Sequence, residues 1–422
     1  MNTRTEEHAM KTIVSKILLL AAVAGGALTT SAETIAVHAD TLHTMAGEPI
    51  ENAIVLVEDG KIVQVGPAAA MTLPAGIRTL EVAVVVPGLV DAHSVVGLSG
   101  ILNQPHDQDM LDESAPLQAD LRAIDAYNAK EEFVAFSRGL GVTTINTGHG
   151  PGTLVSGSTM VVKLHGRTAD EDVILPQRMV TVSLGMDAIA SDAAKGKAPG
   201  TRPKAIAMLR ADLIKAQEYA TKRALEDESK RPGRDLHLEA LGRALSGEQP
   251  LLITAQRAVD ILGALRVAAE FDLEIILDGC AEAHLVLDQI KASGFPVILH
   301  PTMARAAGEL ENLSMETAAK LQAAGIPFAI QSGYEAYAPK TRTVLFEAGL
   351  LVARGLSWDE AMASITRAPA EILGLADRVG TIEVGKDADL ALFNGDPFEY
   401  TTHCVGTLID GVAYAGEADH LQ

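Results

Sequence analysis

An aspartate and a histidine stand near the end of an apolar run that contains a Pro-Gly turn, in residues 86–94. Side chains at positions i and i+2 of a strand point to the same face, so one strand end can offer two ligands to one metal ion. Asp91 and His93 have this spacing, but position 95, two residues after His93, is a valine. The pattern therefore predicts a polar strand end with a single histidine to offer a metal.

Polar side chains also follow the other apolar runs in the middle of the chain: Asn146, Thr147, His149, Lys163, His165, Thr254, Gln256, Asp278, Cys280, His300, Gln331 and Ser332. The carboxyl ends of barrel strands meet at one face, where active sites form. We therefore expect these residues to surround one opening, the mouth of the barrel, at the carboxyl ends of the strands. His149, Gln256 and Gln331 are candidate substrate-binding residues. Asp278 and His300 are a candidate acid/base pair that needs no metal.

The loop of residues 104–109 carries metal-ligand side chains at close spacing. His106, Asp107 and Asp109 could join His93, His149 or His300 in a metal site displaced from the strand end, with zinc as the expected ion if a metal is bound. The alternative is a hydrogen-bonded loop that closes the mouth without a metal. Both possibilities stay open at the level of the sequence.

The middle of the chain alternates apolar runs with helical patterns, which is typical of an α/β fold with a parallel sheet. Candidate strands are residues 142–146, 160–164, 251–254, 274–278, 296–300 and 327–331. Residues 258–271 predict a helix, and Ser357 with Glu360 predicts a capping box at the start of another. A charged segment at about 191–249 predicts a helical insertion, which is either a lid over the mouth or a surface excursion.

The two ends of the chain are rich in strand patterns. Asp59-Gly60 and Asp410-Gly411 each separate two apolar runs, which predicts a hairpin at each place. We expect residues 33–86 and 380–422 to form one composite β-sandwich, with residues 87–379 as the barrel between them.

The N-terminus predicts a signal peptide over residues 1–32. Lys11 and Lys16 precede the apolar residues 17–24, and Thr30-Ser31-Ala32 offers small residues for cleavage. We expect a periplasmic or secreted protein without a later membrane span. The net charge of −21 argues against nucleic acid or an anionic membrane surface as a partner.

The chain has two cysteines, Cys280 and Cys404, which we expect to be unpaired because they fall in different structural units. Cys280 is either a nucleophile or a buried structural thiol, and the absence of a histidine in a recognisable partner motif favours the structural role.

Four motifs together resemble the amidohydrolase superfamily, most closely its exported imidazolonepropionase-like and Xaa-Pro-dipeptidase-like members. They are residues 87–93, 139–144, 368–375 and 380–390. The resemblance covers nearly all of the mature chain. It implies a distorted (β/α)8 TIM-like barrel with a flanking β-sandwich. It also implies hydrolysis of C–N bonds by water that a divalent metal activates.

The metal ligands that the resemblance implies are mostly replaced. His93 matches one of the two first-strand histidines, whereas Val95 stands in place of the other. Lys163 fits the strand-four lysine only loosely, and the alternative is a lysine that simply belongs to a strand. Thr254 and Gln256 stand where the resemblance implies a fifth-strand histidine, and Gly279 stands where it implies a sixth-strand histidine. Gln331, Ser332 and Gly333 stand in place of the final-strand aspartate, which is the implied base. A catalytic divalent site needs about three protein ligands and a water. The implied mechanism should therefore not operate unchanged.

Three functional hypotheses follow from the sequence. The first is a hydrolase of amides, cyclic imides or dipeptides with a non-standard site. The second is a non-catalytic pseudoenzyme that binds a small molecule, or that pairs as a homo-oligomer or with an active homologue. The third is metal-free hydrolysis through Asp278, His300 or Cys280.

Overall fold

The structure is a computed structural model that describes residues 34–102, 104–189, 198–302, 304–334 and 344–416. The predicted signal peptide lies outside these residues. Strands and helices are numbered below in chain order over this part of the chain.

A seven-stranded sheet contains strands from both ends of the chain. It has the order β17-β16-β15-β4-β1-β2-β3. Its strands are β1 (Ile35–Leu42), β2 (Ile50–Glu58), β3 (Lys61–Pro67), β4 (Arg78–Pro87), β15 (Leu390–Phe393), β16 (Cys404–Ile409) and β17 (Val412–Ala415). Hairpin turns fall at Asp59-Gly60 and Asp410-Gly411, all four with positive φ. The predicted β-sandwich is not confirmed, because the described strands of the two ends pair into one sheet rather than two.

The middle of the chain forms two further sheets. The first has the order β14-β13-β12-β11-β10-β7, and the second has the order β5-β6-β8-β9. Their strands are β5 (Leu89–Ser94), β6 (Val142–Thr147), β7 (Val155–Ser158), β8 (Met160–Lys163), β9 (Val173–Leu175), β10 (Val180–Ser183), β11 (Leu251–Ala255), β12 (Ile275–Gly279), β13 (Val297–Leu299) and β14 (Phe328–Ile330). Strands β10 to β14 are parallel, as are β5 and β6. Because both faces of these strands are covered, nearly all of their residues are buried.

The described strands do not close into a complete hydrogen-bonded barrel. The amide of Ile330 in β14 donates to the carbonyl of Ser364, and the amide of Val90 in β5 donates to the carbonyl of Ile365. The segment at 364–365 therefore satisfies backbone groups that the two strands would otherwise offer to each other. The α/β class is confirmed, whereas the closed (β/α)8 barrel is not.

The helices cover the sheets of the middle part. They are α1 (Glu132–Gly139), α2 (Ala169–Asp172), α3 (Arg202–Arg223), α4 (Leu236–Leu245), α5 (Ala258–Phe271), α6 (Leu287–Ser293), α7 (Thr317–Ala324), α8 (Val344–Val352), α9 (Trp358–Ala363) and α10 (Arg367–Ile372). The predicted helix at 258–271 is α5, and the predicted capping box of Ser357 and Glu360 opens α9. None of the described helices has the length and apolar character needed to cross a bilayer.

The predicted insertion contributes α3 and α4, which bury apolar residues including Leu209, Leu213 and Leu241. His237 joins this part to the loop after β5. Its Nε2 lies 2.6 Å from Asp212, and its Nδ1 accepts a hydrogen bond from the Ala119 amide at 3.0 Å. The insertion is therefore packed against the rest of the fold and anchored to that loop.

Candidate functional site

The carboxyl ends of four strands bring their polar side chains together. His93 Nδ1 of β5 lies 3.1 Å from Asp278 Oδ1 of β12. Thr254 Oγ1 of β11 donates to Asp278 Oδ2 at 2.6 Å, and Gln331 Nε2, after β14, donates to Asp278 Oδ1 at 2.7 Å. Thr254 and Asp278 are register partners on neighbouring parallel strands, which explains their contact. The Asp278 carboxylate is thus bound by three side chains in a buried network.

Burial and charge oppose each other at His93. Burial disfavours the charged imidazole, but the negative charge and hydrogen bond of Asp278 outweigh this, so the pKa of His93 is raised above its ordinary value. His93 is 1% exposed and Asp278 is fully buried. The pair is therefore an imidazolium–carboxylate ion pair inside the protein.

Asp91 has a separate set of partners. Its Oδ1 accepts hydrogen bonds from the backbone amides of His93 at 3.3 Å and Ser332 at 3.2 Å. The Ser332 hydroxyl donates to Asp91 Oδ2. Asp91 thus connects the end of β5 to the residues that follow β14. These are the two strands whose backbone amides bond to the 364–365 segment instead of to each other.

Several buried polar atoms at these strand ends make no hydrogen bond of good geometry with other described residues. They are His93 Nε2, both ring nitrogens of His149, His300 Nε2 and Gln331 Oε1. The His149 backbone nevertheless lies close enough to the His93 imidazole to favour its charged form. Buried polar groups without partners cost free energy, so these atoms call for a ligand or ordered water.

His149 and His300 are neutral imidazoles at physiological pH. Burial lowers the pKa of each to about 4. The His300 Nδ1 lies 2.7 Å from the carbonyl oxygen of Pro301, so this nitrogen carries the proton. His300 Nε2 is therefore left as an acceptor with a free lone pair.

Tyr334 is a site residue that the sequence prediction missed. Its ring centroid lies 5.2 Å from that of His93, and its hydroxyl accepts a hydrogen bond from Gln256 Nε2 at 3.2 Å. The only signal in the sequence is an aromatic residue three positions after Gln331, beyond a strand end. Gln256 is consequently held by Tyr334 on one side, and its Oε1 accepts from the Ala281 amide at 3.4 Å.

Asp278 and His300, the expected acid/base pair, have different hydrogen-bond partners in the structure. Asp278 bonds to His93, Thr254 and Gln331, whereas His300 bonds to the carbonyl of Pro301. The reason is that the β5 strand end directs His93, rather than His300, onto the Asp278 carboxylate.

The expected loop ligands do not join His93. The His106 side chain is 77% exposed, its Nε2 lies 3.3 Å from Asp107 Oδ2, and Asp109 is also exposed. Within the described ranges, no group of three or more His, Cys, Asp or Glu side chains could hold a metal ion. His93 Nδ1 is engaged by Asp278, which leaves Nε2 as the one ring nitrogen that can face a ligand. The donor set of the described residues therefore does not fit a three-ligand divalent site.

Lys163 is paired with aspartates, and Cys280 is a buried thiol. Lys163 Nζ contacts Asp387 at 2.8 Å, Asp389 at 3.0 Å and also Asp410, all in the C-terminal part of the chain. It ends β8, which runs antiparallel to β6, so it is not presented like a residue at the end of a parallel strand. Burial raises the pKa of the Cys280 thiol, which disfavours a nucleophilic thiolate. Cys280 and Cys404 are both buried.

Comparisons with known proteins agree with one another. The sequence model of the Amidohydrolase family matches residues 324–414. The amidohydrolase tasK of Hapsidospora irregularis is 25% identical over 397 residues, which are 85% of this chain, and the match spans 39% of that relative. An imidazolonepropionase of Brucella anthropi is 26% identical over 82% of this chain and 87% of its own.

Comparison of the fold with solved structures also finds an amidohydrolase. The crystal structure of an amidohydrolase from Thermotoga maritima superposes with a TM-score of 0.84 at 27% identity. The match covers 90% of this chain and 100% of that one. The similarity therefore extends through nearly the whole described part of the molecule.

Proposed function

Because this chain belongs to the amidohydrolase superfamily, we propose that it binds a small amide-type molecule at the carboxyl ends of its central strands. In this proposal, binding does not lead to the metal-dependent hydrolysis that the superfamily resemblance implies. The ligand-binding residues are His93, Gln331 and His300.

The observation that carries this proposal is the saturation of the Asp278 carboxylate by three protein donors. A carboxylate with these partners is a poor candidate for a metal ligand. Without an activating ion, a water molecule keeps roughly its bulk acidity instead of a pKa near 7. A bound amide would then face no activated nucleophile.

The unpartnered atoms define the chemistry of the ligand. Charged His93 offers an N–H donor at Nε2, while Gln331 Oε1 and His300 Nε2 are acceptors. A molecule that carries a carbonyl oxygen next to N–H groups would satisfy both kinds of partner. Amides and cyclic imides have this pattern, whereas a simple carboxylate supplies acceptors alone.

Calorimetry with hydantoin and with a prolyl dipeptide tests the proposal. We expect binding to chelator-treated protein and no product before or after loading with zinc or manganese. His300→Asn keeps a donor for the Pro301 carbonyl but removes the Nε2 acceptor, so binding should weaken about tenfold. The matched control is His284→Asn, at a half-buried histidine outside the network, and it should leave binding unchanged.

Two results would contradict this function. One is the absence of binding by either probe to the wild-type protein. The other is turnover that appears only after metal loading, because it would require a divalent site that the described residues do not form.

A second candidate function is metal-free hydrolysis with His300 as general base. The specific observation in its favour is the neutral imidazole with a buried, unpartnered Nε2. A base with a free lone pair can take a proton from water. Product formed by chelator-treated wild type and lost in His300→Asn would establish this function in place of binding alone.

Export through the predicted signal peptide is a separate proposal. It is supported by the charge, apolar run and small residues of positions 11–32. N-terminal sequencing of the mature protein after expression in a Gram-negative host tests it, with cleavage expected after Ala32.

A further inference from the structure

A cavity lies between α3 and α5, apart from the network around Asp278. Two ion pairs link these helices: Arg202 Nε to Asp260 Oδ1 at 2.8 Å, and Arg210 Nε to Glu270 Oε2 at 2.7 Å. The first pair joins the N-terminal parts of the two helices, and the second joins residues further along both. The helices therefore run parallel. The cavity has a volume of about 320 Å³ and reaches Leu184 at the end of β10.

A glycine leaves the space open between the helices. A Cβ atom built on Gly263 would lie 3.8 Å from Ile206 Cδ1 and 3.9 Å from Arg266 Nη2. Any larger side chain at this position would enter the cavity. Much of the remaining lining is apolar: Leu184, Pro203, Ala205, Ile206 and Val259.

One of the three arginines at the cavity has no acidic partner. Arg202 is neutralised by Asp260 and Glu309, and Arg210 by Glu270. Arg266 forms no hydrogen bond or ion pair with any residue in the part of the chain that the structure describes. It is also exposed, so a ligand can reach it from solvent. The cavity therefore combines apolar walls with one guanidinium that has no acidic partner of its own among the described residues.

We propose that this cavity binds a monocarboxylate with a compact apolar body. The carboxylate would accept hydrogen bonds from the Arg266 guanidinium, whose planar fork matches carboxylate geometry. The apolar body would fill the space over Gly263 against Ile206. Arg266 is the one cavity arginine without an acidic partner among the described residues, which favours a ligand with a single carboxylate. This site is independent of the proposed function at the strand ends.

Calorimetric titration of the full chain with benzoate tests the site. Benzamide, which has nearly the same shape without the charge, and inorganic phosphate, which has charge without an apolar body, are the comparison ligands. We expect benzoate to bind at least about tenfold more tightly than either. Equal binding of benzamide or phosphate would overturn the carboxylate assignment, and no binding of benzoate would overturn the site.

Two variants locate the binding within the cavity. Arg266→Gln should weaken benzoate binding about tenfold or more, whereas Lys215→Gln, at an exposed cation of α3 outside the cavity, should leave it unchanged. Gly263→Leu should abolish binding by filling the space, and leucine is a better helix former than glycine, so the helix should persist. Unchanged binding in either cavity variant would overturn the proposal.

Discussion

The Asp278 carboxylate shows how one side chain determines the chemistry at the strand ends. It receives hydrogen bonds from Thr254 and Gln331 and carries the charge that keeps His93 protonated. A buried ion pair is costly to break, because the remaining charge has neither water nor a partner. Asp278 is thus an internal counter-ion in this structure.

Replacement of Asp278 by asparagine should expose this dependence. We expect Asp278→Asn to lower the free energy of unfolding by about 3–5 kcal/mol, because His93 loses its counter-charge in a buried place. Urea unfolding near neutral pH measures the change. The control is Asp125→Asn, at a 58% exposed partner of Arg122, for which about 1 kcal/mol or less is expected. Equal effects of the two substitutions would contradict the ion pair.

The two neutral histidines predict a loss of stability in mild acid. The folded pKa of His149 and of His300 is about 4, below the ordinary value of 6.5. As the pH falls from about 6.5 to about 4, the unfolded chain takes up protons that the folded protein does not, so the free energy of unfolding decreases. Each histidine contributes roughly 3 kcal/mol over this window. His93, with a raised pKa, acts in the opposite direction and stabilises the fold on the acidic side.

Comparison of His300→Asn with wild type separates the contribution of His300 to the pH dependence of the free energy of unfolding. The variant should lose less stability on acidification, with a slope that is smaller by up to about 1.4 kcal/mol per pH unit. Urea unfolding at several pH values between about 6.5 and 4 gives the slopes. Parallel pH profiles would mean that His300 is not a neutral buried group.

The sequence predicted which residues end the strands but not how they pair. Asp278, His300, Gln331 and His93 were all identified from their positions after apolar runs. The contact between His93 and Asp278 joins residues that are 185 positions apart, and it depends on the relative placement of β5 and β12. No local pattern encodes that placement, so the sequence alone suggests His300 rather than His93 as the partner of Asp278.

Local rules predicted the elements better than their arrangement. The capping box of α9 and the two Asp-Gly hairpins follow from short-range chemistry, and the structure has them. The run at 160–164 was expected among parallel strands, but β8 pairs antiparallel with β6. Apolar residues alone do not distinguish the two directions, which depend on the route of the chain between the strands.

Gly263 allows a test of helix α5 as an element. It lies inside the helix with an ordinary φ, and a Cβ would meet neighbours only at van der Waals distance. Gly263→Ala should therefore raise the free energy of unfolding by about 0.5–1 kcal/mol. Gly294→Ala is the matched control, because Gly294 ends α6 with φ +74° and alanine should destabilise there. Urea unfolding of both variants should show opposite signs.

At the scale of the whole molecule, a buried ion cluster joins the middle of the chain to its C-terminal part. Lys163 of β8 contacts Asp387, Asp389 and Asp410. Burial lowers the pKa of Lys163, but the aspartates outweigh this and the pKa is raised. The sequence suggested one unit from both chain ends but not this connection, because it spans more than 220 positions.

Removal of the Lys163 charge should destabilise the molecule strongly. We expect Lys163→Met to cost about 3–5 kcal/mol, since Asp387 and Asp389 are each 2% exposed and would lose a buried counter-charge. Lys61→Met removes another cation beside Asp387, but one that is 50% exposed, so about 1 kcal/mol or less is expected. Similar midpoints of thermal unfolding for the two variants would contradict the structural role of Lys163.

The central claim is that His93 and Asp278 form an ion pair where the superfamily resemblance implies a metal site. Anomalous diffraction at the zinc edge, from crystals of the full chain soaked with zinc, tests it most directly. We predict no anomalous peak at the carboxyl ends of β5, β11 and β12. A peak about 2.0–2.3 Å from His93 and from two further side chains would contradict the claim.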